Sequence, residues 1–483
     1  MTGAYTAAQV RAAERAALVG LRPGVLMQRA ATGLATRCLG LLGRAHGVRV
    51  VLLVGSGDNG GDALFAGAVL ARRGARVTAV LLAPDRAHAD GLAALLRAGG
   101  RTGGAESLAR ADLVLDGIVG IGGTGGLRPD AVALVRAATA GPGLLVAVDV
   151  PSGVVADTGK VPGEAFPAQH TVTFGALKTG LLVGPGRQHA GTVHLVDIGL
   201  GGHLPEPDVR LLTDADVAVH LEAPGPDDDK YSRGVVGVIA GSATYPGAGV
   251  LCTGAALRTR PGLVRYAGTA AEGVRAAWPE AIVSSGRPGA AGRVQAWVVG
   301  PGMGTDEAAR SVLAEVLATD LPVVVDADAL TLVAQDRRLV GNRTAPTVLT
   351  PHDREFARIF EWAAGAGGPN IPDRVAAARR GAAEHGCTVL LKGDATVVAD
   401  ADGTAHVNTT GTSWLATAGT GDVLAGILGA VLASGVPAGE AAAVAAHLHG
   451  RAGQLAAEQG PLIAGDLVRQ LPRTIAQLRG STG

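Results

Sequence analysis

A glycine-rich segment in the second half of the chain places a carboxylate among small residues. Thr417-Ala418-Gly419-Thr420-Gly421-Asp422 precedes an apolar segment, residues 423–432. At a helix start, converging backbone N–H groups and the helix dipole favour a phosphate or a developing oxyanion. A carboxylate there repels an anion unless it takes a proton from a hydroxyl group that attacks a phosphoryl group. The pattern predicts phosphoryl transfer to an alcohol with Asp422 as the base. The alternative is a helix start at which Asp422 only complements the dipole.

Four polar residues in the first half follow or end predicted strands. They are Asn59, Asp116, Asp149 and Ser152. Because the carboxyl ends of parallel strands meet at one edge of a sheet, we expect these side chains to lie close together. Oxygen donors without His or Cys suit a hard cation such as potassium, sodium or magnesium. Each Asp taken alone is equally well interpreted as a turn or helix-cap residue.

The first of these loops also has the spacing of a dinucleotide-binding loop. Gly55-Ser56-Gly57-Asp58-Asn59-Gly60 satisfies GxGxxG after a predicted strand. However, Asp58 and Asp62 oppose the binding of a pyrophosphate, and Ala83-Pro84 occupies the place where an acidic ribose ligand is expected. Polar side chains on this loop suit a cation or sugar hydroxyls better.

Short apolar runs alternate with helical patterns in both halves of the chain. The composition is 47% hydrophobic but only 3% aromatic, which is typical of parallel strands buried between helices. We predict an opening helix, a helix over 63–73 and βαβ units in an α/β fold. The predicted strands are residues 48–54, 76–82, 113–116 and 144–150, then 235–240, 294–299, 323–326, 347–349 and 388–391.

Length and charge limit the classes of function. A chain of 483 residues exceeds the usual size of one domain. Lys+Arg and Asp+Glu are 42 each, so we expect neither nucleic acid nor a membrane surface as partner. Three widely spaced cysteines, and no predicted signal peptide or membrane span, predict a soluble cytoplasmic protein. Prolines between about residues 201 and 229 are predicted to interrupt any regular element and to mark a domain boundary.

Three segments of the first half carry a family resemblance. DNGGDAL, DGIVGIGGTGG and VAVDVPSGVVADTG resemble the signatures of NAD(P)H-hydrate epimerase domains. The resemblance implies a Rossmann-like α/β/α domain at residues 1–209, with potassium held by Asn59, Asp116 and Ser152. It also implies that Asp149 is the acid/base group. The implied substrate-binding residues are Asp58, Asn59, Gly60, Gly61, Asp62, Gly120, Ile121, Gly122, Gly123, Thr124, Gly125, Gly126 and Asp149.

This half also contains a further candidate residue and two departures from the family pattern. Lys178 is a candidate second catalytic group, against the alternative of a solvated surface lysine. Asp58 stands where Asn is usual, and Ala63 stands where Gly is usual. Both changes affect the charge or flexibility of the loop. We therefore expect them to alter the affinity for the ligand more than the identity of the domain.

Strand-end loops in the second half converge on Asp422. Small-residue loops around Ala248 and Gly302 let a flat substrate approach the backbone, and Lys392 supplies a cation. His352 follows Thr-Pro at a strand end, where we favour a ligand contact over a structural role. His447 and His449 lie two apart in a helical pattern, so they face different directions and are interpreted as structural.

This half resembles the ADP-dependent NAD(P)H-hydrate dehydratases of the ribokinase-like superfamily. The matching segments are KYSRGVVGVIAGSATYPGA, GPGMG, VVVDADAL, LTPHDREFARIF, LLKGDATVV and NTTGTSWLATAGTGDVLAG. The resemblance implies a ribokinase-like α/β domain at residues 210–483 that uses Mg2+ with ADP. The implied substrate-binding residues are Ala248, Gly302, His352 and Asp422, and the implied nucleotide-binding residues are Lys392, Gly393, Asp394, Ala395, Thr396 and Gly421.

Both resemblances concern the same damaged cofactor. They imply a homo-oligomeric, bifunctional repair enzyme that epimerises the R and S hydrates of NADH and NADPH and dehydrates the S form with ADP. The main alternative is a vitamin or sugar kinase of ribokinase type with a nucleotide-binding regulatory domain in its first half. A first half that only binds a partner is disfavoured by its clustered strand-end acids.

Overall fold

The computed structural model describes residues 2–259, 262–284, 286–341, 343–365 and 368–480. The chain divides into two compact units, one of Gly3–Val209 and a second that begins at Arg210. Each unit has its own hydrophobic core.

The first half of the chain alternates strands and helices. The strands are β1 (Thr2–Tyr5), β2 (Arg49–Val54), β3 (Arg76–Leu81), β4 (Arg101–Thr102), β5 (Leu113–Gly117), β6 (Leu144–Val148), β7 (His170–Phe174), β8 (Leu177–Lys178) and β9 (Thr192–Val196). The helices are α1 (Ala7–Leu18), α2 (Val25–Leu42), α3 (Asp58–Arg72), α4 (Ala89–Arg97), α5 (Pro129–Ala140) and α6 (Gly184–Ala190).

Seven of these strands form one parallel sheet in the order β4-β3-β2-β5-β6-β7-β9. Val50, Leu52 and Val54 of β2 pack against the core that contains α1 to α4, whereas Val51 and Leu53 pack against the core that contains α5. The sheet is therefore the middle of three layers. From β2 the chain adds β3 and β4 on one side of the sheet and then β5, β6 and β7 on the other, so the strand order reverses between β2 and β5. Ligands of open α/β sheets bind at such a point, outside the strands' carboxyl ends.

The helix after β2 begins earlier than the sequence predicts. Helix α3 begins at Asp58 instead of residue 63, so Asn59, Gly60 and Gly61 belong to its first turns and not to a loop. A Cβ atom at Gly60 would overlap the carbonyl oxygen of Gly55. The glycines thus allow the helix to start directly against the strand end, and this packing outweighs their low helix propensity.

The second half is a larger α/β unit. The strands are β10 (Val209–Leu211), β11 (Val235–Ile239), β12 (Leu263–Tyr266), β13 (Ile282–Val283), β14 (Ala296–Val299), β15 (Val323–Val325), β16 (Thr347–Leu349), β17 (Ala364–Gly365), β18 (Gly368–Pro369), β19 (Thr388–Leu391), β20 (Thr396–Ala399) and β21 (Ala405–Asn408). The helices are α7 (Asp214–Ala218), α8 (Pro246–Thr259), α9 (Ala271–Ala277), α10 (Glu307–Leu317), α11 (Asp328–Gln335), α12 (Arg338–Gly341), α13 (Asp353–Ile359), α14 (Arg374–His385), α15 (Thr420–Ala433), α16 (Ala438–Ala457) and α17 (Ala464–Gly480).

The main sheet of this unit runs β13-β12-β11-β14-β15-β16-β19-β20-β21-β10. The pairs from β13 to β19 are parallel, whereas β19-β20 and β20-β21 are antiparallel. Helices α8, α15, α16 and α17 share one core with the strands. The predicted α/β fold class is confirmed in both halves. None of the helices in the described parts of the chain combines the length and apolar character that a membrane span requires.

The proline-containing segment between the units is more regular than predicted. It contains β10, which pairs with β21 through Arg210 and His406, and it contains α7. Thr213 and Asp216 form a capping box at the start of α7, in which Asp216 Oδ2 accepts the Thr213 N–H at 2.8 Å. The prediction that prolines interrupt every element there was wrong, because they lie outside the short strand and helix.

Candidate active sites

Asp149 and Lys178 form a buried ion pair in the first unit. Lys178 Nζ lies 2.6 Å from Asp149 Oδ1, and the lysine side chain is only 1% exposed. The ammonium group also donates to Thr173 Oγ1 at 3.0 Å and to the carbonyl oxygen of Phe174 at 2.8 Å. Lys178 is therefore not a solvated surface residue, which was the alternative interpretation of the sequence.

The backbone at Asp149 is strained. Its φ is 65°, in the left-handed region that residues other than glycine rarely adopt. Contacts with β7 hold this conformation, because Asp149 Oδ1 also accepts hydrogen bonds from Thr173 Oγ1 at 3.1 Å and from the Phe174 N–H at 3.3 Å. Such strain is concentrated at functional sites, where the surrounding structure compensates for it.

Further acids share this region with Asp149. Burial and the charges of Asp149, Asp58 and Glu14 raise the pKa of Asp62 well above its ordinary value. Asp62 Oδ1 is buried and has no hydrogen-bond partner among the described residues. Burial also raises the pKa of Glu14, with Lys178 opposing the shift and Asp149 and Asp58 adding to it. The raised pKa favours the neutral form of Asp62.

Glu14 is a site residue that the sequence reasoning missed. It lies on α1, whose buried positions Val10, Ala13 and Ala17 pack against the core. Glu14 is half-buried and lines the same cleft as Asp149. The only sequence signal is an acid next to the apolar face of an amphipathic helix, and many surface residues share that signal.

Asp116 and Ser152 meet below the cleft. Asp116 is fully buried, and its two oxygens accept the Ser152 hydroxyl at 2.7 Å and the Ser152 N–H at 2.8 Å. Burial raises the pKa of Asp116 to about 6, against the lowering effect of the hydrogen bonds from Ser152 and Ile118. Nearby, the buried Asn59 side chain leaves its Nδ2 without a partner, and a Cβ at Gly120 would lie 2.9 Å from Asn59 Oδ1.

Two adjoining clefts open at the carboxyl ends of the first sheet. The larger cleft has a volume of about 580 Å³ and is lined by Arg11, Glu14, Arg15, Leu18, Ser56, Gly57, Asp58, Asn59, Asp62, Ile118, Val119, Gly120, Ile121, Gly122, Asp149, Phe174 and Lys178. The smaller cleft has a volume of about 230 Å³ and is lined by Gly55, Ser56, Leu82, Ala83, Arg86, Ile118, Val119, Gly123, Gly125, Gly126, Leu127, Arg128, Asp130, Ala131 and Gly153.

The glycine-rich segment predicted to bind substrate lines both clefts with different residues. Gly120, Ile121 and Gly122 line the larger cleft, Gly123, Gly125 and Gly126 line the smaller one, and Thr124 lines neither. Gly60 and Gly61 line neither cleft, because they lie at packing contacts of α3. A Cβ at Gly61 would come within 2.9 Å of the His88 ring.

In the second unit, Lys392 lies among three carboxylates. Its Nζ is 2.8 Å from Asp326 Oδ1 and 3.8 Å from Glu355 Oε2. Burial alone would lower the pKa of Lys392, but the charges of Asp326, Glu355 and Asp422 outweigh it, so the pKa lies above its ordinary value. Asp326 is 2% exposed and also accepts the Thr350 hydroxyl at 2.8 Å.

Asp422 lies in the first turn of α15, as the glycine-rich segment predicts. The residue before the helix, Gly419, has a φ of 87°, which only glycine adopts readily. Burial, followed by the charge of Asp326, raises the pKa of Asp422 to about 7, and Lys392 opposes this shift. A Cβ at Gly421 would lie 3.6 Å from Lys392 Nζ, so the lysine reaches the same helix start.

His352 has a structural role at its ring Nδ1. It begins α13, and its Nδ1 accepts the backbone N–H groups of Arg354 and Glu355 at 3.1 and 3.2 Å. The His352 N–H in turn donates to Glu355 Oε2 at 2.8 Å, which completes a capping box. The side chain is 49% exposed, and the opposite nitrogen, Nε2, lies 3.5 Å from Glu355 Oε1. The predicted ligand contact is thus restricted to Nε2.

The loops after β11 and β14 touch each other. A Cβ at Gly302, whose φ is 60°, would lie 2.9 Å from the Ala248 Cβ. The Gly241 N–H donates to the Pro301 carbonyl oxygen at 2.6 Å, and the Gly304 N–H donates to Asp328 Oδ2 at 2.9 Å. Ala248 and Gly302 therefore meet beside the loop that carries Asp326 and Asp328.

The segment from Lys392 to Thr396 is exposed at its centre. Gly393 and Asp394 are exposed, whereas the Ala395 side chain is 1% exposed and packs inward. Arg374, which the sequence reasoning did not select, holds this segment because its Nη2 donates to the Lys392 carbonyl oxygen at 2.7 Å. Its Nη1 donates to Asp353 Oδ1 at 2.6 Å.

The two histidines of α16 face different partners. His447 Nε2 lies 2.7 Å from Asp214 Oδ1, whereas His449 Nε2 lies 2.9 Å from the Thr420 carbonyl oxygen. Burial lowers the pKa of His449 to about 4, so it stays neutral and donates to that carbonyl. This hydrogen bond from His449 stabilises the start of α15.

Comparisons with known proteins agree with this division. Residues 236–476 match the family profile described as NAD(P)H-hydrate dehydratase, and residues 23–180 match that of the YjeF-related protein N-terminus. A ribokinase-like superfamily protein from Enterococcus faecalis is 27% identical with a TM-score of 0.50, over 57% of this chain and 98% of that chain. The second half is therefore a ribokinase-like domain.

Two relatives match both halves. The bifunctional NAD(P)H-hydrate repair enzyme of Mycobacterium leprae is 52% identical over 98% of both chains. The enzyme of the same name from Mycobacterium tuberculosis is 53% identical over 81% of both chains. The chain belongs to the family of bifunctional NAD(P)H-hydrate repair enzymes. This confirms the family predicted from the motifs and favours it over the kinase alternative.

Proposed function

We propose that the two units share the repair of one damaged cofactor. The unit Gly3–Val209 interconverts the R and S hydrates of NADH and NADPH, and the unit that begins at Arg210 dehydrates the S hydrate with ADP. One observation carries this proposal: each unit has a carboxylate beside a lysine at the carboxyl ends of its strands. These are Asp149 with Lys178, and Asp422 with the Asp326–Lys392 pair.

In the second unit, Asp422 is the base. It accepts the proton of the ring hydroxyl while the hydroxyl oxygen attacks the β-phosphoryl group of ADP, and AMP leaves. Phosphate then departs from the ring with the electrons of the carbon–oxygen bond, and loss of a ring proton leaves the double bond of NAD(P)H. A pKa of about 7 suits a general base near neutral pH.

Lys392 and the start of α15 bind the phosphoryl group while it passes from ADP to the ring hydroxyl. Asp326 and Glu355 already hold the lysine side chain in place. It therefore loses little conformational entropy when the nucleotide binds. Gly421 contributes a backbone N–H at the positive end of the helix dipole. Ala248 and Gly302 bound the space for the hydrated ring, and the exposed backbone of Gly393 and Asp394 faces the adenine nucleotide.

Magnesium fits this site only together with the nucleotide. Among the described residues, no group of three or more His, Cys, Asp or Glu side chains is arranged to hold a metal ion. Mg2+ is commonly bound by one or two carboxylates plus substrate phosphates. Asp326, Asp328 and Glu355 are the carboxylates near Lys392 and Asp422 that offer such contacts, and a bound Mg2+ would neutralise phosphate charge.

In the first unit, Asp149 is the acid/base group. It takes the proton of the ring hydroxyl as the bond between that ring carbon and the ring nitrogen breaks to an open-chain aldehyde, and it returns the proton when the nitrogen closes on the opposite face of the carbonyl. Lys178 places its ammonium group 2.6 Å from Asp149 Oδ1, and the strained backbone fixes the direction of the Asp149 side chain. The nicotinamide half of the substrate lies in the larger cleft, along Asp58, Asn59, Asp62 and the residues Gly120 to Gly122.

Potassium fits below this cleft. The unpartnered atom of the buried Asn59 side chain is the donor Nδ2, so its potential cation ligand is Oδ1, and Asp116 is a fully buried carboxylate whose partners are hydroxyl and N–H donors of Ser152 and Ile118. Carboxylate, amide and hydroxyl oxygens form a ligand set of low charge, which favours a large monovalent cation over a transition metal. A bound K+ would neutralise Asp116 and fix the loop that carries Ser152.

Fusion of the two activities has a chemical reason. A dehydratase that accepts one epimer leaves the other unrepaired unless an epimerase converts it. The small-molecule partners are the NADH and NADPH hydrates and ADP, whereas a homo-oligomeric state and a cytoplasmic location stay predictions from the sequence. The proposal is tested by mixing the protein with purified S hydrate and ADP. Reduced-nicotinamide absorbance should recover with one AMP per cofactor; no recovery with any adenine nucleotide would refute the dehydratase assignment.

A further inference from the structure

The smaller cleft of the first unit continues the larger one. Both are lined by Ser56, Ile118 and Val119, so these residues form a shared wall. The smaller cleft extends from this wall to Leu82, Ala83 and Arg86, which follow β3. It therefore lies at the carboxyl ends of the strands, next to the point where the strand order reverses. Open α/β sheets bind ligands at such points.

The two clefts differ in charge. The larger cleft contains the carboxyl groups of Glu14, Asp58, Asp62 and Asp149. Its cations are Lys178, which Asp149 already pairs, and the two exposed arginines of α1. The larger cleft therefore suits an uncharged ring and sugar hydroxyls better than a group of phosphates.

The smaller cleft has the opposite balance. Arg86 and Arg128 line it, and in the described structure neither guanidinium takes part in a hydrogen bond or ion pair. Its one acid is Asp130, whose Oδ1 accepts the N–H of Ala131 at 2.9 Å. Gly123, Gly125 and Gly126 line the same cleft, so a ligand can approach their backbone closely.

The end of β3 also differs from that of an NAD-selective site. In dinucleotide-binding folds an acid near this point binds the ribose 2′-hydroxyl, whereas an arginine accommodates a 2′-phosphate. Here Ala83 follows the strand, and the charged side chain that this loop contributes to the cleft is Arg86. The exposed Asp85 lies in the same loop but is not among the residues that line the cleft.

We propose that the smaller cleft binds the adenylate half of the hydrated dinucleotide, with Arg86 and Arg128 holding its phosphates. This inference rests on the epimerase function proposed above. The arginines bind the substrate and do not take part in the proton transfer at Asp149. Their loss therefore weakens binding without slowing the chemical step.

The test compares the full-length double variant Arg86→Ala/Arg128→Ala with the wild type in epimerisation of NADPH hydrate and NADH hydrate. We expect KM to rise about tenfold, which corresponds to about 1.4 kcal/mol, with kcat within about twofold of wild type. Arg110→Ala is the matched control, because Arg110 is exposed and lines neither cleft. The conservative variant Arg86→Lys/Arg128→Lys should recover part of the loss, since it retains the charge.

Two further comparisons identify the phosphate. A KM increase confined to NADPH hydrate assigns the 2′-phosphate to the arginines, and an equal increase for both substrates assigns the pyrophosphate. Adenosine 2′,5′-bisphosphate should inhibit epimerisation competitively, with a weaker inhibition constant in the double alanine variant. Unchanged KM values for both hydrates in an active variant would overturn the inference. A wild-type protein that epimerises neither hydrate would instead refute the proposed function.

Discussion

Lys392 Nζ lies 2.8 Å from Asp326 Oδ1, and the same Asp326 raises the pKa of Asp422. One buried carboxylate thus positions the cation of the second site and tunes its base. Asp326 follows β15 and Lys392 follows β19, and β16 separates the two strands in the sheet. Folding brings Asp326, Lys392 and Asp422 together, and their spacing in the sequence does not reveal it.

Replacing Asp326 with Asn should shift the pH dependence of dehydration. Asp422 must be ionised to act as a base, so the wild-type rate should rise with pH through about 7. The negative charge of Asp326 raises that pKa, so its removal moves the acidic limb to lower pH. The measurement is kcat/KM against pH with S hydrate and ADP. A variant that is slower but has its acidic limb at the wild-type position would show that Asp326 is only structural.

Asp422→Ala should abolish most dehydration but retain nucleotide binding. The carboxylate is needed to remove a proton and not to contact phosphate, so we expect a loss of about 100-fold or more in kcat. Calorimetric titration with ADP serves as the control for folding and binding. Turnover close to that of wild type would exclude Asp422 as the base.

Replacing Lys178 alone in the Asp149–Lys178 pair should destabilise the first unit. Lys178→Met leaves Asp149 with an uncompensated charge in a buried position, which typically costs about 3–5 kcal/mol. We therefore expect the unfolding transition of the first unit to move to a clearly lower temperature in calorimetry. The double variant Lys178→Met/Asp149→Asn should recover part of this loss, because it removes the unpaired charge. Unfolding of Lys178→Met at the wild-type temperature would argue against the ion pair.

Asp116→Ala should slow epimerisation and leave dehydration of pure S hydrate unchanged. The comparison uses R-hydrate conversion by wild type and variant, each in buffer with and without potassium. Potassium should stimulate only the wild type. Burial raises the pKa of Asp116 to about 6 in the potassium-free protein, and K+ binds the ionised carboxylate, so the stimulation should weaken in acid as protons compete with K+. Equal rates in all four conditions would rule out the cation site.

The predicted strands of the second half show what sequence patterns determine well. Residues 347–349 and 388–391 have the predicted bounds, because short β-branched apolar runs between polar loops suit buried parallel strands. By contrast, β7 was not predicted, and its Thr171 and Thr173 are buried although they are polar. Thr173 is satisfied by Asp149 and Lys178, and those contacts exist only after folding.

Among the candidate site residues, too, some were predicted from the sequence and others were missed. Motifs indicated Asp149, Lys178 and Asp422, because their surroundings in sequence resemble a known family. Glu14 and Arg374 reach the sites from helices that are distant in sequence, so no local pattern identifies them. The early start of α3 was also missed, because close packing at Gly60 outweighed the usual helix-breaking effect of glycine.

The division of labour between the units is tested most directly with purified R hydrate, ADP and the full-length Asp149→Asn variant. Wild type should convert R hydrate fully to reduced cofactor. The variant should convert it only at the rate of spontaneous epimerisation, while it consumes S hydrate at the wild-type rate. Clearance of both hydrates by the variant at wild-type rates would contradict the assignment of epimerisation to Asp149 and its unit.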